Sequence, residues 1–112
     1  MMMIANLALM PTIHEVFDLE NGVIRGPHRV AELTPLELRM VAALARRHQM
    51  LCTKHYLVAA IWPQEKAPDS AYDKAIWRLG QRVREKLETA GWNEAGLRTR
   101  IGMGYVLDVE KL

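Results

Sequence analysis

The side chains best suited to chemistry in this sequence are cationic and amide groups that recur at helical spacing within residues 70–88. At about 100° per residue, one helical face there carries Ser70, Lys74, Trp77, Arg78, Gln81 and Glu85, with Arg82 and Arg84 beside it. Arginine can donate two hydrogen bonds to guanine, and glutamine can pair in the same two-bond manner with adenine. This face could therefore contact base edges in a DNA major groove, although an ordinary solvated charged face explains the same pattern.

The opposite face of the same segment is apolar and predicts a contact with the core. The stripe consists of Tyr72, Ile76, Leu79, Val83 and Leu87. Gly80 also lies on it, where glycine costs about 1 kcal/mol relative to alanine, so we expect another element to approach closely there. Trp77 on the polar face has two interpretations, because an indole can pack on a neighbouring element or lie against sugar and base. Packing is the commoner outcome for such an amphipathic side chain.

A second group of cations lies near the carboxyl end, in the stretch RTRIGMGYVL. Gly102 and Gly104 indicate a tight turn between two short strands, which predicts a β-hairpin over residues 97–109. Arg98 and Arg100 precede the turn, so one side of the hairpin is expected to be cationic.

The segments that must position these side chains change character along the chain. Residues 1–33 are predicted to form an antiparallel sheet, because short apolar stretches alternate with the turn signals Asn-Gly and Gly-Pro. The predicted strands are 4–9, 13–18, 22–25 and 29–33. Residues 34–91 are predicted to hold three helices, of which the third covers about 70–88.

Each predicted helix has a start signal. The stretch Thr34–Glu37 begins the first helix with a capping box and a proline at the first helical position. Thr53 is expected to begin the second helix. The third is expected to begin near Ser70, with Asp73 completing a second capping pair, and to stop at Gly91.

Composition bounds the possible functions. The chain has 112 residues and a formal net charge of +2, which predicts a single domain, 1–112, that meets any anionic partner through a local patch. Cys52 is the only cysteine, so no internal disulfide or zinc site is expected and a reducing, cytoplasmic setting fits. No arrangement typical of an enzyme is present, and no cofactor is expected. The apolar opening MMMIANLALM is too short to span a membrane.

Four pieces of the sequence together resemble one known family. They are LTPLELRMVAAL (33–44), LVAAIWP (57–63), VREKLE (83–88) and TRIGMGYVL (99–107). In order and spacing they resemble the C-terminal effector domain of OmpR/PhoB-type response regulators, and independent local signals agree on one fold. The resemblance implies an α+β winged helix-turn-helix with a four-stranded N-terminal antiparallel sheet, a three-helix core and a C-terminal β-hairpin wing.

The function implied by the resemblance is sequence-specific binding of double-stranded DNA in transcriptional regulation. The recognition helix would enter the major groove, and the wing would meet the adjacent backbone or minor groove. The candidates for contacts near the bases are Lys74, Trp77, Arg78 and Gln81. The candidates for phosphate contacts are Thr53, Lys54, Ser70, Arg82, Arg84, Arg98 and Arg100.

Further partners follow from the same resemblance. The loop PQEKAP matches the segment through which family activators meet RNA polymerase, so Gln64, Glu65 and Lys66 are candidates for that contact. A homodimer or tandem binding on direct repeats is expected, and no membrane partner. The alternative is a winged-helix protein-protein interaction module that docks RNA polymerase or a partner regulator, with Trp77 as its anchor.

Three features depart from the family pattern. The family wing reads Thr-Val-Arg-Gly, whereas this chain has Thr99-Arg100-Ile101-Gly102, so alternation puts Arg100 on the other side of the strand unless a bulge restores it. The recognition helix also admits a register one turn earlier, in which Gly80 replaces an arginine. No receiver domain with a phosphorylatable aspartate is present, so we expect either part of a longer regulator or a signal that enters another way.

Overall fold

The predicted order of sheet, helices and hairpin holds apart from a short helix before the sheet and a short strand between two helices. The computed structural model describes residues 12–112. Its elements are α1 (Ile13–Val16), β1 (Phe17–Asp18), β2 (Val23–Arg25), β3 (Val30–Glu32), α2 (Pro35–Arg46), β4 (Cys52–Thr53), α3 (Lys54–Ile61), α4 (Asp73–Ala90), β5 (Leu97–Arg100) and β6 (Gly104–Leu107). Single 3₁₀ turns occupy Asp69–Tyr72, Glu94–Gly96 and Val109–Lys111. The predicted α+β class is confirmed.

The N-terminal sheet has the antiparallel order β1-β2-β3 within the described residues. The strands predicted at 22–25 and 29–33 are confirmed. The strand predicted at 13–18 is largely wrong, because the Thr12 side chain and Glu15 form a capping box that starts helix α1, which leaves β1 two residues long. The strand predicted at 4–9, and with it the fourth strand of the sheet, lies outside the described residues.

The helix starts follow the predicted caps in two cases out of three. Thr34 and Glu37 form the capping box of α2, and Thr53 caps α3 by accepting a hydrogen bond from the backbone of Tyr56. The capping pair predicted for the third helix is wrong. Ser70 lies inside the 3₁₀ turn that precedes α4, and α4 begins at Asp73 without any side-chain cap. The end of α4 at Gly91, which has φ 103°, is as predicted.

The core lies between the helices and the two sheets. The whole predicted stripe of α4 is buried, namely Tyr72, Ile76, Leu79, Val83 and Leu87. The predicted close approach at Gly80 is confirmed, since a methyl group there would come within 2.8 Å of the Tyr105 ring of β6. Glu37 is 1% exposed and forms an ion pair with Lys86 of α4. Burial alone would raise the pKa of Glu37, but hydrogen bonds from Lys86 and the Thr34 amide hold it below its ordinary value.

The hairpin belongs to a second sheet, with the order β4-β6-β5. In it β4, which was not predicted, pairs Cys52 with Tyr105 and Thr53 with Gly104. The close approach requires glycine at 104, where φ is 151° and a side chain would collide with the Cys52 carbonyl oxygen. This strand pair places the start of α3 beside the hairpin.

Candidate nucleic-acid interface

The side chains predicted to lie near the bases share the exposed face of α4. Lys74 and Arg78 are exposed and Gln81 is half-buried, while the core stripe of the helix faces inward. Trp77 is 57% exposed, so any packing of its indole on a neighbouring element leaves more than half of the residue open to solvent. A large aromatic ring therefore stands among cations on a solvent-facing helix surface.

Five exposed cations occupy this helix face and the hairpin. They are Lys74, Arg78, Arg82, Arg98 and Arg100. Within residues 12–112 none of the five forms an ion pair or a side-chain hydrogen bond, whereas Arg25, Lys54 and Lys86 each have a carboxylate partner. Cations without internal partners can neutralise a polyanion without breaking a contact of the fold.

Arg84, which was predicted to contact a phosphate, has its guanidinium bound within the domain. Its Nε donates to the Leu97 carbonyl oxygen at 2.9 Å, one terminal nitrogen donates to Gln81 Oε1 at 2.9 Å, and the other donates to the Thr99 hydroxyl. Its guanidinium also lies 5.7 Å from the centre of the Tyr105 ring. All three nitrogens of Arg84 therefore bind within the domain and join α4 to β5.

This contact also limits Gln81. Two-bond pairing with adenine uses the amide oxygen as acceptor and the amide nitrogen as donor. The Gln81 oxygen already accepts one hydrogen bond from Arg84, which leaves its second lone pair and the NH₂ group available to a base.

Two residues predicted to contact phosphate, Thr53 and Lys54 at the start of α3, lie close to the hairpin. Lys54 Nζ is 2.6 Å from a carboxylate oxygen of Asp73, in an ion pair that is about half exposed on both sides. Thr53 and Ser70 are exposed. The Asp73 carboxylate thus stands at the beginning of α4 and holds one of the predicted cations.

A slot of about 260 Å³ separates α4 from the hairpin. Trp77 and Ile76 form its helix side, Arg100 and Met103 belong to its hairpin side, and the paired residues Lys54 and Asp73 also line it. Residues of α4 and of the hairpin therefore border one concave surface.

The hairpin is regular up to its turn. Leu97 pairs with Leu107 and Arg100 with Gly104, so no bulge moves Arg100 to the other side of β5. Ile101 lies in the turn and is 93% exposed, so it does not pack inward. Gly102 has φ 74°, and the Met103 amide donates to the Arg100 carbonyl oxygen at 2.8 Å.

The loop between α3 and α4 is exposed and anchored at one point. Gln64, Glu65 and Lys66 all face solvent. The Tyr72 hydroxyl donates to the Glu65 carboxylate at 2.5 Å, and this contact raises the pKa of Tyr72. Tyr72 also stacks on Trp62, with 4.6 Å between ring centres, so the loop is joined to the beginning of α4.

The remaining reactive groups have structural positions. Cys52 is buried, as predicted, and burial raises the pKa of its thiol. His48 Nε2 accepts from the Val109 amide at 3.0 Å, a capping contact. In residues 12–112 no group of His, Cys, Asp or Glu side chains is arranged to hold a metal ion. No helix of this stretch has the length and apolar character needed to cross a membrane.

A three-helix core whose third helix presents cations beside a β-hairpin defines a winged helix-turn-helix domain. The chain matches the family described as "Transcriptional regulatory protein, C terminal" over residues 28–107, and it belongs to that family. The OmpR/PhoB-type resemblance predicted from the sequence is thereby confirmed, and the class is a DNA-binding domain of transcriptional regulators rather than a family of enzymes.

One curated relative is the transcriptional regulatory protein AfsQ1 of Streptomyces coelicolor. It is 32% identical over 77 residues, which cover 69% of this chain and 33% of AfsQ1. The chain thus spans about a third of the length of that relative.

Three solved structures show the same fold. The C-terminal domain of the lantibiotic response regulator NsrR has a TM-score of 0.58 at 20% identity, covering 79% of this chain and 86% of that chain. The DNA-binding domain of AdeR, determined in complex with an intercistronic region, has a TM-score of 0.57 at 23% identity, covering 77% of this chain and 83% of that chain. The DNA-binding domain of E. coli CadC has a TM-score of 0.58 at 16% identity, covering 80% of each chain.

Proposed function

We propose that this domain binds double-stranded DNA sequence-specifically, with α4 in the major groove and the β5–β6 wing against the adjacent backbone or minor groove. The observation that carries the proposal is the set of five exposed cations without internal partners on α4 and the wing. Arg84 holds these two elements together, so the cations have a defined spacing before DNA arrives. The AdeR DNA-binding domain, which has a similar fold and was determined in complex with an intercistronic region, supports DNA binding by this fold.

The helix face divides into two roles. Lys74 and Arg78 project without internal partners and are proposed to contact base edges, where arginine pairs best with guanine. Gln81 is proposed to donate through its free NH₂ group, and Trp77 to lie against sugar or base with its exposed ring. These side chains would supply sequence preference.

Phosphate contacts are proposed for the flanking cations. Arg82, Arg98 and Arg100 are exposed and without internal partners, and they would add affinity without sequence preference. Thr53, Lys54 and Ser70 remain candidates at the edge of the same surface. Arg84 is proposed to position the wing instead, because its nitrogens already bind within the domain.

Assembly on DNA follows from the modest charge. Residues 70–100 hold seven Lys and Arg side chains against four Asp and Glu, 7 − 4 = +3, and two of the seven, Arg84 and Lys86, bind within the domain. Few phosphates can be neutralised by one copy, and affinity rises with their number. We therefore propose binding as a homodimer or in tandem on repeated half-sites, in the cytoplasm, with RNA polymerase as a partner of the exposed loop that contains Gln64, Glu65 and Lys66.

A protein-docking role is the second candidate, and the exposure of Trp77 is the observation that favours it. If Trp77 is the anchor of a protein interface, its truncation should weaken binding of the domain to the protein partner. The same substitution should then leave duplex binding unchanged. Trp77→Ala measured against duplex and against RNA polymerase therefore separates the two roles.

The experiment that tests the proposal is selection of bound sites from a random duplex library. The proposal predicts a recurring sequence, with repeated half-sites at about one helical turn or a multiple of it. Arg78→Ala should lose the preference at one base position. Arg29→Ala, an exposed arginine near the far end of α4, should leave the selected sequence unchanged. Failure to recover any duplex at low salt would contradict the proposal.

A further inference from the structure

The tip of the wing is apolar and projects from the domain. Ile101 is 93% exposed and Met103 is 52% exposed. A side chain built on Gly102, between them, would meet no other atom within 4 Å. A single exposed apolar residue is ordinary in proteins, so the surroundings of Ile101 decide whether its exposure has a use.

Those surroundings are cationic and fixed. Arg100 precedes Ile101 directly, and Arg98 lies two residues further back on the same strand. The tip is held by the Arg100–Met103 turn hydrogen bond, by the pairing of β6 with both β4 and β5, and by the bonds of Arg84 to Leu97 and Thr99. Ile101 therefore lies in the turn of a hairpin that these contacts hold in place. The two cations that precede it on β5 have no internal partners.

The two apolar residues of the tip differ in their surroundings. Met103 borders the slot between the wing and α4, together with Trp77, whereas Ile101 does not border it. Ile101 is thus the apolar group of the tip that remains available to a surface beyond the domain.

We infer that Ile101 is an apolar contact for the floor of the DNA minor groove and favours A·T pairs at the position it faces. This inference rests on the proposed function, because it requires the wing to lie at the adjacent minor groove. In that groove G·C pairs differ from A·T pairs by the guanine 2-amino donor. An isoleucine cannot accept a hydrogen bond from this donor, so covering it leaves a polar group unpaired.

The same inference explains the order of charges. Minor-groove proteins insert isoleucine, leucine, methionine or phenylalanine at base steps, with cations on the flanking phosphates. Arg98 and Arg100 are two residues apart on β5, close to the tip, and share one side of the strand, where they can bind phosphates at the groove entrance. The apolar contribution of Ile101 should therefore not depend on salt, while that of Arg100 should.

The test uses a duplex that carries the selected site, with base analogues at the pairs facing the wing. Replacing adenine by 2,6-diaminopurine adds the 2-amino group to the minor groove and leaves the major-groove edge unchanged. This replacement should weaken binding of the wild-type domain about tenfold. Ile101→Ala should bind the unmodified site about fivefold more weakly, with an unchanged salt slope, and should lose most of its response to 2,6-diaminopurine.

Three controls make the outcome specific. Val30→Ala changes a different exposed apolar residue, which is half-exposed on β3, and should leave both readouts at the wild-type values. Ile101→Val should restore most of the affinity and of the analogue response. Arg100→Ala should lower the salt slope by about one, which Ile101→Ala should not do.

The failures of the two proposals are distinguishable. A wild-type domain that binds its site while Ile101→Ala shows the same affinity or the same analogue response overturns the minor-groove role and leaves the proposed function intact. A change in self-association of the free domain by Ile101→Ala, without a change in DNA binding, overturns it in favour of a contact between copies of the chain. Absence of any duplex binding by the wild type removes both proposals.

Discussion

Arg84 and Leu97 are joined by a hydrogen bond of 2.9 Å from the Arg84 Nε to the Leu97 carbonyl oxygen, and this bond connects the proposed recognition helix to the wing. The two other guanidinium nitrogens bind Gln81 and Thr99. A planar group with donors in fixed directions is needed to hold three acceptors on two elements at once. The relative position of helix and wing therefore depends on this side chain as well as on the close approach of Tyr105 to Gly80.

Substitution of Arg84 by lysine tests this role. Lysine keeps the charge but loses the fork of donors, so we expect DNA affinity to fall several-fold with no change in salt slope. The free energy of unfolding should fall by about 1–2 kcal/mol, because two part-buried hydrogen bonds are lost. Affinity across a salt series and urea unfolding measure the two effects. Full affinity in the lysine variant would instead indicate a phosphate contact that needs charge alone.

Asp73 is expected to restrain DNA binding. It holds Lys54 at 2.6 Å and places a negative charge at the start of α4. Asp73→Asn should raise DNA affinity several-fold and steepen the salt slope by about one, since Lys54 becomes free for a phosphate. Stability should change by no more than about 1 kcal/mol, because the pair is exposed. Glu32→Gln, an exposed acidic residue of β3, is the matched control for charge. Equal gains in both variants would show a general charge effect.

The two wing glycines should differ in their tolerance of a side chain. Gly104→Ala should destabilise the domain by roughly 3 kcal/mol or more, because its new methyl group meets the Cys52 carbonyl oxygen and φ is 151°. Gly102→Ala should cost only about 1 kcal/mol, since φ is 74° but the space around it is open. Thermal unfolding of both variants gives the comparison. Similar losses at the two positions would contradict the β4–β6 contact.

The buried Glu37–Lys86 pair should control acid stability. Because the pKa of Glu37 in the folded state is below its ordinary value of 4.5, the unfolded state binds more protons as pH falls past that value. The pair therefore contributes stability above pH 4.5, and the contribution is lost as pH falls through the folded pKa. Urea unfolding between pH 3 and pH 7, roughly the range of carboxylate titration, should show stability rising with pH.

Lys86→Met should reverse the contribution of Glu37. A carboxylate that is 1% exposed and has lost its cation is expected to have a raised pKa. Its contribution should then be greatest below pH 4.5 and decrease as pH rises, with a loss of about 3–5 kcal/mol at neutral pH. Glu37→Gln should remove both effects. An unchanged pH profile in Lys86→Met would contradict the role of the pair.

Local signals explain what the sequence could predict. The Thr34–Glu37 box, the apolar stripe of α4 and the Gly91 stop depend on neighbours within one or two turns, so spacing alone reveals them. Helix α1 has the same kind of box in Thr12 and Glu15, and this signal was available although the stretch was predicted as a strand. Because helix α1 is only one turn long, the alternation of apolar residues that follows its start favours a strand in the sequence.

Long-range contacts explain what the sequence could not predict. Strand β4 is two residues long and exists because β6, about fifty residues later, pairs with it. Arg84 binds acceptors of Leu97 and Thr99 on another element. The sequence shows only that Arg84 is basic, and a basic residue beside the recognition face predicts a phosphate contact. Prediction could identify the basic face but not which cations the fold itself would use.

The salt dependence of duplex binding by matched arginine variants tests the central claim most directly. Arg98→Ala on the wing should weaken binding to selected and unrelated duplexes equally and lower the salt slope by about one. Arg78→Ala on α4 should cost about 1–3 kcal/mol on the selected site and relax the preference at one base pair. Both results together would support a recognition helix that selects sequence and a wing that binds phosphate. The account would be contradicted if both variants bound as well as the wild type, or if the wild type bound no duplex at low salt.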